Sequence, residues 1–398
     1  MNLGDEIDAL LEPVEGQEKP IQPSRTPKAE WRPGVEWSGS EGVVTTKPIE
    51  GMQQPEWKAV LSVFELDPDE YQVVEPVLFN AWHGPSADGP VLYRQWKAKI
   101  VRRRHQTYAD VTELIDEIRR HKPTAKRTPT GDGAFVVVLA DWQIGKDGSG
   151  GTVRRVLAAI DAVEHRVKEL RRLKRPLGRL FVLWTGDSVE GCVGHYEMQT
   201  FLVELDRRSQ VKVTRRLLRD ALIRWSRLFD EVVVVAVGGN HGENRRESKA
   251  FTTFGDNDDL AVVEQVAEVL AGNPEVYGHV KFVFPPDHLT MTVEVSGWIL
   301  GLTHGHIARE SGAAEAKLSR WYERQAGGKQ PIGQADILVT GHYHHLRVAD
   351  WGACTWLQAP ALDSGSEWWR LSRGSDAATG VLTFAVYPDR KVADLEVL

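Results

Sequence analysis

Phe135-Val136-Val137-Val138-Leu139-Ala140-Asp141-Trp142-Gln143 is a run of six apolar residues that ends in an acid and an amide. A run that short and that rich in β-branched residues reads as a buried strand. The same pattern recurs four times downstream. Residues 180–184 lead into Gly186-Asp187, 232–237 into Gly239-Asn240-His241, 298–303 into His304-Gly305-His306, and 337–340 into Gly341-His342-Tyr343-His344. Five strand ends then carry Asp, Gln, Asn and His to one rim of a sheet. Open α/β sheets place ligands beyond the carboxyl ends of their strands. Carboxylates, an amide oxygen and imidazoles gathered there make the donor set of a two-metal hydrolase.

Outward from these clusters, the 398 residues leave room for one large domain and a smaller one. A hydrophobic fraction of 41% with 14 Trp supports a folded core. No apolar stretch approaches the roughly 20 residues of a membrane span. Met1-Asn2-Leu3-Gly4-Asp5-Glu6 lacks the basic start and apolar centre of a secretory signal. Cys192 and Cys354 stand alone, so a disulfide framework is not expected. The net charge of -7 argues against a generally basic surface for nucleic acid, though not against a local basic groove.

Residues 1–50, rich in Pro, Glu, Gln, Gly and Ser, are expected to be disordered. A small α+β module is expected over 54–122. It comprises a short helix at 57–64, a hairpin from 78–82 and 91–101, and a helix at 111–120. Residues 122–133 read as a polar linker. From residue 134 onward, strands alternate with clusters and helices, the helices falling at 153–172, 211–229 and 258–271. Further strands are expected at 289–295, 354–358 and 381–387.

Singly, the clusters differ in weight. Asp-x-Gln is most often a loop or helix cap, and Gly-Asp is common in turns. In an extended chain, residues two apart face one side, so Asp141 and Gln143 can reach one ion. Gly239-Asn240-His241-Gly242-Glu243 after a buried strand is far more specific. It offers a hard amide oxygen beside an imidazole suited to proton donation near neutral pH. His304 with His306, and His342 with His344, place two imidazole pairs at strand ends out of 13 His in the chain. His345 should point away and is read as packing.

Taken in order, the clusters resemble the calcineurin-like metallophosphoesterase superfamily, whose signature runs Asp-x-His, Gly-Asp, Gly-Asn-His-Asp/Glu, His and Gly-His-x-His. The resemblance spans about residues 134–350, and residues before Lys122 have no counterpart in it. It implies an α/β fold of two packed mixed sheets flanked by helices over 134–398, preceded by the small α+β module. Asp141, Gln143 and His344 would hold a first divalent ion, Asn240, His304 and His342 a second, and Asp187 would bridge them. His241 would be the general acid. Gln143 stands where the family usually has His. An amide oxygen suits a borderline ion less well than imidazole does. The departure therefore implies Mn²⁺ ahead of Mg²⁺, Zn²⁺ or Fe²⁺, and a looser first ion.

The chemistry so implied is phosphoester hydrolysis by in-line attack of water, without a covalent enzyme intermediate. Within the superfamily, the manganese-dependent DNA-repair exonuclease branch is favoured. Basic residues lie near the clusters (Arg207, Arg208, Arg215, Arg216, Arg219, Arg245, Arg246 and Lys249), and such residues supply most non-specific DNA affinity. His195, in Gly194-His195-Tyr196, Arg245 and His306 are the expected substrate contacts. Trp368-Trp369-Arg370 offers stacking and charge to a strand. Each has a plainer reading: a solvated helix face for the arginines, core for the tryptophans, and edge protection for Arg102-Arg103-Arg104. Whole-chain similarity resembles metallophosphoesterases of actinobacterial phages and prophages, which implies a cytoplasmic location. DNA, a second copy of the chain and a separate ATPase are the expected partners, since no Walker motif or sustained heptad occurs here. Two alternatives stand beside this reading: a small-molecule or cyclic-nucleotide phosphodiesterase or phosphatase, and an inactive scaffold with Gln143 as its first lost ligand.

Overall fold

Strands buried on both faces need apolar residues at every position, because neither side meets water. That is what the run at 134–139 supplies, and its alternation decides what lies on each side of the sheet. The computed structural model describes residues 31–398 except 39–40, 51–52, 69–70, 87–88, 103–110, 124–130, 197–198, 247–248, 310 and 364–378. It divides into two units, one within Pro13–Tyr108 and one that contains Ala109–Leu398.

The larger unit holds two sheets. In the first, β6 (Gly133–Leu139), β7 (Leu177–Trp184), β8 (Glu231–Ala236) and β11 (Val280–Val283) are parallel neighbours. Beyond β6, β17 (Leu382–Tyr387) and β18 (Arg390–Val397) add antiparallel strands. The second sheet runs β12 (Thr290–Val295), β13 (Trp298–Thr303), β14 (Ile337–Thr340), β16 (Thr355–Gln358) and β15 (Arg347–Asp350). Its inner three strands, β13, β14 and β16, are parallel.

Odd and even residues of β6 go to different cores. Ala134, Val136 and Val138 pack with Phe181, Leu183 and Val235 against Leu300, Leu302, Ile337, Val339 and Leu357 of the second sheet. Phe135, Val137 and Leu139 face α3 (Ser149–Arg172), α4 (Arg207–Ser226) and α5 (Asp258–Ala271). On the outer face of the second sheet, α7 (Ala314–Gly327) buries Leu318, Trp321 and Tyr322 against Leu338 and Trp356. The result is the expected sandwich of two mixed sheets with helices on both outer faces.

Register is what makes one rim of these sheets. Leu139 pairs with Trp184, and Trp184 with Ala236, so three parallel strands stop level with one another. Leu302 pairs with Val339, and Val339 with Leu357, in the second sheet. Every cluster therefore leaves its sheet at the same end of the sandwich.

Pro13–Tyr108 contains a five-stranded sheet. A long hairpin of β4 (Tyr71–Ser86) and β5 (Gly89–Arg102) carries β2 (Glu41–Thr45) and β3 (Ile49–Glu50) along β5, and β1 (Gly34–Ser38) pairs with β2. Leu61, on α1 (Trp57–Val63), packs with Val44, Ala98 and Ile100. Two expected boundaries need correction. The disorder expected over 1–50 does not extend to 34–38 and 41–50, where β-branched Val35, Val43 and Val44 give strands that pair; residues 1–30 lie outside the described residues. The helix expected to close the small module, α2 (Val111–Arg119), belongs instead to the larger unit. Leu114 and Ile118 bury in its helical core, and Asn273 Nδ2 donates to Ile118 O at 2.8 Å and to His121 O at 3.1 Å. Those bonds satisfy carbonyls that a helix end leaves open.

Ile118 is fully buried. Ile118→Ala should therefore destabilise the larger unit by about 2–5 kcal/mol in a urea titration. An unchanged midpoint would show that α2 is not part of that cooperative core.

Candidate metal centre

Extended backbone does not present these side chains. Asp141, Gln143, Asp187, His342 and His344 all lie in the left-handed region, at φ of 51°, 44°, 52°, 72° and 57°. Such a conformation is uncommon for residues with a Cβ and costs about 1–3 kcal/mol each, so surrounding contacts must hold it. The two residues expected to face one side from extended chain are instead presented from left-handed backbone. Asp141 and Gln143 flank Trp142, which turns inward and meets Trp184 edge-on at 5.0 Å between ring centroids.

Glycine makes the close approaches possible. Gly186 has φ 89°, and a Cβ there would meet Gly239 Cα at 2.6 Å. At Gly341 a Cβ would meet Asp141 Oδ2 at 2.6 Å. The backbones carrying Asp187 and Asn240 can touch only without side chains at these positions.

Carboxylates then bind the turns together. His241 N donates to Asp187 Oδ1 at 2.7 Å. His342 N donates to Asp141 Oδ2 at 3.0 Å, which joins the first sheet to the second. Across the same gap, His304 Nδ1 lies 2.8 Å from Thr185 O. A carbonyl can only accept, so Nδ1 carries a hydrogen, and Nε2 is the atom that would offer a lone pair to a metal in the neutral ring. That Nε2 lies 2.9 Å from Asp187 Oδ2.

Asp187, His304 and His342 bring one donor atom each to within 4.8 Å of one another. Asn240 Oδ1 is buried without a hydrogen-bond partner. An orphaned amide oxygen is costly unless something else satisfies it. A carboxylate, two imidazoles and that oxygen are a suitable donor set for a divalent transition ion. These four residues fit a metal. Electrostatics agree: burial raises the Asp187 pKa, but His304 and then His241 overcome it and hold the carboxyl well below its usual range. For His304, burial works downward, but the Asp187 charge and hydrogen bond, the Asp141 charge and the bond to Thr185 together outweigh it and push the pKa up to about 9. His342 is pushed down to about 2 by burial and by His304, which keeps its lone pair available.

The expected first-ion set is gathered but differently engaged. Gln143 Oε1 accepts from Lys146 Nζ at 3.2 Å. His344 places Nε2 3.4 Å from Asp141 Oδ1 and Nδ1 3.6 Å from Asp363 Oδ1.

His241 extends from the same turn. Its Nδ1 is 2.8 Å from Glu190 O and 3.4 Å from Glu190 Oε2, and its Nε2 faces Gln143 Nε2 at 3.5 Å. His195 stacks parallel on it at 4.2 Å between centroids. Burial, then His241 and Arg245, push the His195 pKa down to about 3, so it covers His241 as a neutral ring. His306 Nε2 lies 3.5 Å from Glu243 Oε1. Arg245 is paired with the same Glu243, at 2.8 Å.

Most of the basic residues expected to form a groove hold the fold together. Arg207 bonds to Asp258 and Asn244, Arg215 to Gln265, and Arg219 to Glu117 of α2. Arg216 is buried. Trp368-Trp369-Arg370 and Arg103-Arg104 lie outside the described residues.

Five residues of this centre were not singled out from sequence: Lys146, Glu190, Asp259, Asn257 and Asp363. Asp259 Oδ2 accepts from Asp187 N and from Gly239 N, both at 2.9 Å, and Oδ1 from Ser188 N at 2.8 Å. Asn257 caps α5, accepting from Asp259 N at 2.9 Å, and its Nδ2 donates to Gly239 O at 2.9 Å. A polar residue at a helix start has only a capping signal in sequence.

Asp259→Ala should strand three buried backbone N–H groups, each worth about 1–3 kcal/mol when unsatisfied. The expected outcome is a loss of several kcal/mol in urea unfolding together with weakened metal binding by calorimetry. Wild-type metal affinity in a destabilised Asp259→Ala protein would show that the two turns do not depend on this carboxylate.

No protein-family model and no curated protein matches this chain. Among solved structures it is similar to Vacuolar Protein Sorting 29 from Cryptosporidium parvum, at 16% identity over 64% of this chain and 86% of that one, with a TM-score of 0.30. It is also similar to a predicted phosphoesterase from Streptococcus pneumoniae, at 13% identity over 66% and 94% of the two chains, TM-score 0.28. A third is an archaeal phosphodiesterase, at 10% identity over 66% and 99%, TM-score 0.30. At these identities and scores the likeness does not extend to activity.

Proposed function

We propose that this protein is a metal-dependent phosphoester hydrolase of the calcineurin-like metallophosphoesterase type, acting on phosphodiesters. The observation that carries the reading is the convergence of Asp187, His304 and His342 on one point, with Asn240 Oδ1 left without a partner in the turn whose next residue, His241, bonds to Asp187. A divalent ion held there supplies Lewis-acid stabilisation of phosphoryl oxygens and makes water more acidic.

The chain's own residues supply the rest. Asp187 sets the site's charge and fixes His241 through its backbone N–H. Glu190 holds His241 Nδ1 by its carbonyl, so Nε2 is the atom turned toward Gln143 and the metal-binding residues. Glu190 Oε2 stands 3.4 Å from the same Nδ1. A proton on Nε2 would pass to the leaving oxygen as its bond to phosphorus breaks and water forms the new one. The stacked His195 shields one face of the ring from water. Mn²⁺ is the ion we assign, because one amide and one carboxylate oxygen stand with two imidazoles in the donor set.

DNA is the first diester to test, with His195, Arg245 and His306 as the contacts that line the approach. A specific observation favours the smaller-substrate reading beside it. Arg207, Arg219 and Arg245 are engaged by acids of the protein itself and are not presented as a groove for phosphates.

Asp187→Ala should abolish hydrolysis, a loss of at least about 10³-fold. His241→Asn should lower kcat by about 10²–10⁴-fold and leave metal binding intact. That loss should be smaller on bis-p-nitrophenyl phosphate, whose leaving group needs little protonation. The assay sets end-labelled single- and double-stranded DNA beside the small diester, with Mn²⁺, Mg²⁺, Zn²⁺ or EDTA. Metal-dependent cleavage of DNA that is lost in Asp187→Ala supports the nuclease form. Cleavage of the small diester alone moves the reading to a small-molecule phosphodiesterase. No hydrolysis of any ester by metal-loaded protein would overturn it.

A further inference from the structure

Lys146 stands three residues after Gln143 on a tight turn, in which Lys146 N donates to Gln143 O at 3.2 Å and Gly145 adopts φ 107°. The turn folds the lysine back over the glutamine. Its Nζ donates to Gln143 Oε1 at 3.2 Å and to Asp363 Oδ2 at 2.5 Å. The Asp363 side chain is only 4% exposed, and the lysine 21%. The other oxygen of Asp363 faces His344 Nδ1 at 3.6 Å, and His344 Nε2 faces Asp141 Oδ1 at 3.4 Å. Gln143, Lys146, Asp363, His344 and Asp141 thus form a continuous chain of opposed donors and acceptors. Its ends are two of the three side chains expected to hold the first ion, and the third lies within it.

An ammonium has donors only, so it fixes the orientation of the Gln143 amide with oxygen toward lysine and nitrogen toward His241. A cation on that oxygen, at the roughly 2.0–2.6 Å of a metal–oxygen bond, would lie within about 6 Å of the ammonium. Repulsion between a dication and a monocation at that distance is only weakly screened in a partly buried site. The other half of the centre differs in each respect. Asn240 Oδ1 has no partner, and no lysine or arginine faces Asp187, His304 or His342 in any hydrogen bond or ion pair among the described residues.

We propose that this protein holds one divalent ion per chain, on Asp187, Asn240, His304 and His342. The Lys146 ammonium, clamped between Asp363 and Gln143, takes the place of a second ion in the half formed by Asp141, Gln143 and His344. The amide at 143 is then matched to the lysine at 146: its oxygen serves an ammonium instead of a metal. This rests on the metal-dependent reading above and corrects the two-ion expectation within it.

The test is metal stoichiometry. Wild type, Lys146→Arg and Lys146→Gln are loaded with excess Mn²⁺, freed of unbound ion by gel filtration, and analysed by elemental mass spectrometry and electron paramagnetic resonance. One ion per chain with the spectrum of isolated Mn²⁺ is expected for wild type and for Lys146→Arg, which keeps the charge. Lys146→Gln should take up two ions with a spin-coupled spectrum. Should Lys146→Gln fail to fold, the double variant Lys146→Gln/Asp363→Asn removes both buried charges together and should give the same two ions. Two coupled ions in wild type would overturn the proposal and leave the hydrolase reading standing. One ion in a folded charge-free variant would overturn the role given to Lys146. No bound ion in wild type would overturn the metal-dependent reading itself.

Discussion

A single buried carboxylate joins the two turns on which the centre depends. Asp259 accepts from the backbone of Asp187, Ser188 and Gly239, and so couples the ends of β7 and β8 to the start of α5. The arrangement is consistent with the strand register. Parallel strands that stop level must send their chains off in the same layer, and the freed N–H groups there find no ladder partner. A helix N-terminus brings the required acceptor, and Asn257 caps that helix while tying back to Gly239 O. Burial and the neighbouring Asp187 raise the Asp259 pKa, against which work the Ser188 hydroxyl and the backbone groups that Asp259 collects. Remove that acceptor and Asp187, His241 and Asn240 lose their common reference.

The main sandwich was legible because buried parallel strands leave a simple trace. Five apolar runs, each ended by polar residues, sit at the observed strand positions, and three central helices follow their apolar stripes. Less was legible where the trace is weak. The helix at Ala314–Gly327 buries only Ala314, Leu318, Trp321 and Tyr322 among charged and small residues, so its period is faint. Strands at 34–50 lie in a stretch whose composition of Pro, Glu and Gly suggests disorder. They are ordered by pairing to a partner some fifty residues away, as Val44 does with Ala98. Non-local pairing of that kind has no local signature.

For the candidate centre, residue type and position at a strand end were enough to single out Asp141, Asp187, Asn240, His241, His304, His342 and His344, of which the structure groups Asp187, His304 and His342. Sequence could not give the backbone state that delivers them. Left-handed conformations at Asp141, Gln143, His342 and His344 depend on contacts between sheets, such as the bond from His342 N to Asp141. Glu190, three residues beyond Asp187, has in sequence only its position after an apolar Val189 to mark it. Asp363 had no hint at all: its role comes from meeting Lys146, 217 residues away in sequence.

The two halves of the rim have opposite electrostatic characters. In one, Asp187 is countered by imidazoles alone, and a lone amide oxygen is left without a donor. A divalent cation would complete such a set if His304 Nε2 gave up its proton to offer a lone pair. In the other, Asp141 and Asp363 already have protein cations against them: Lys146 on one side and His344 on the other. Burial works against ionised Asp363, and the hydrogen bond with His344, followed by the His344 and Lys146 charges, wins and holds its pKa well below the usual carboxylate range. One half thus leaves its carboxylate and its amide oxygen open to a cation from solution, whereas the other has its countercharges attached to the chain. Attached groups cannot be chelated away, and their position is set by the fold.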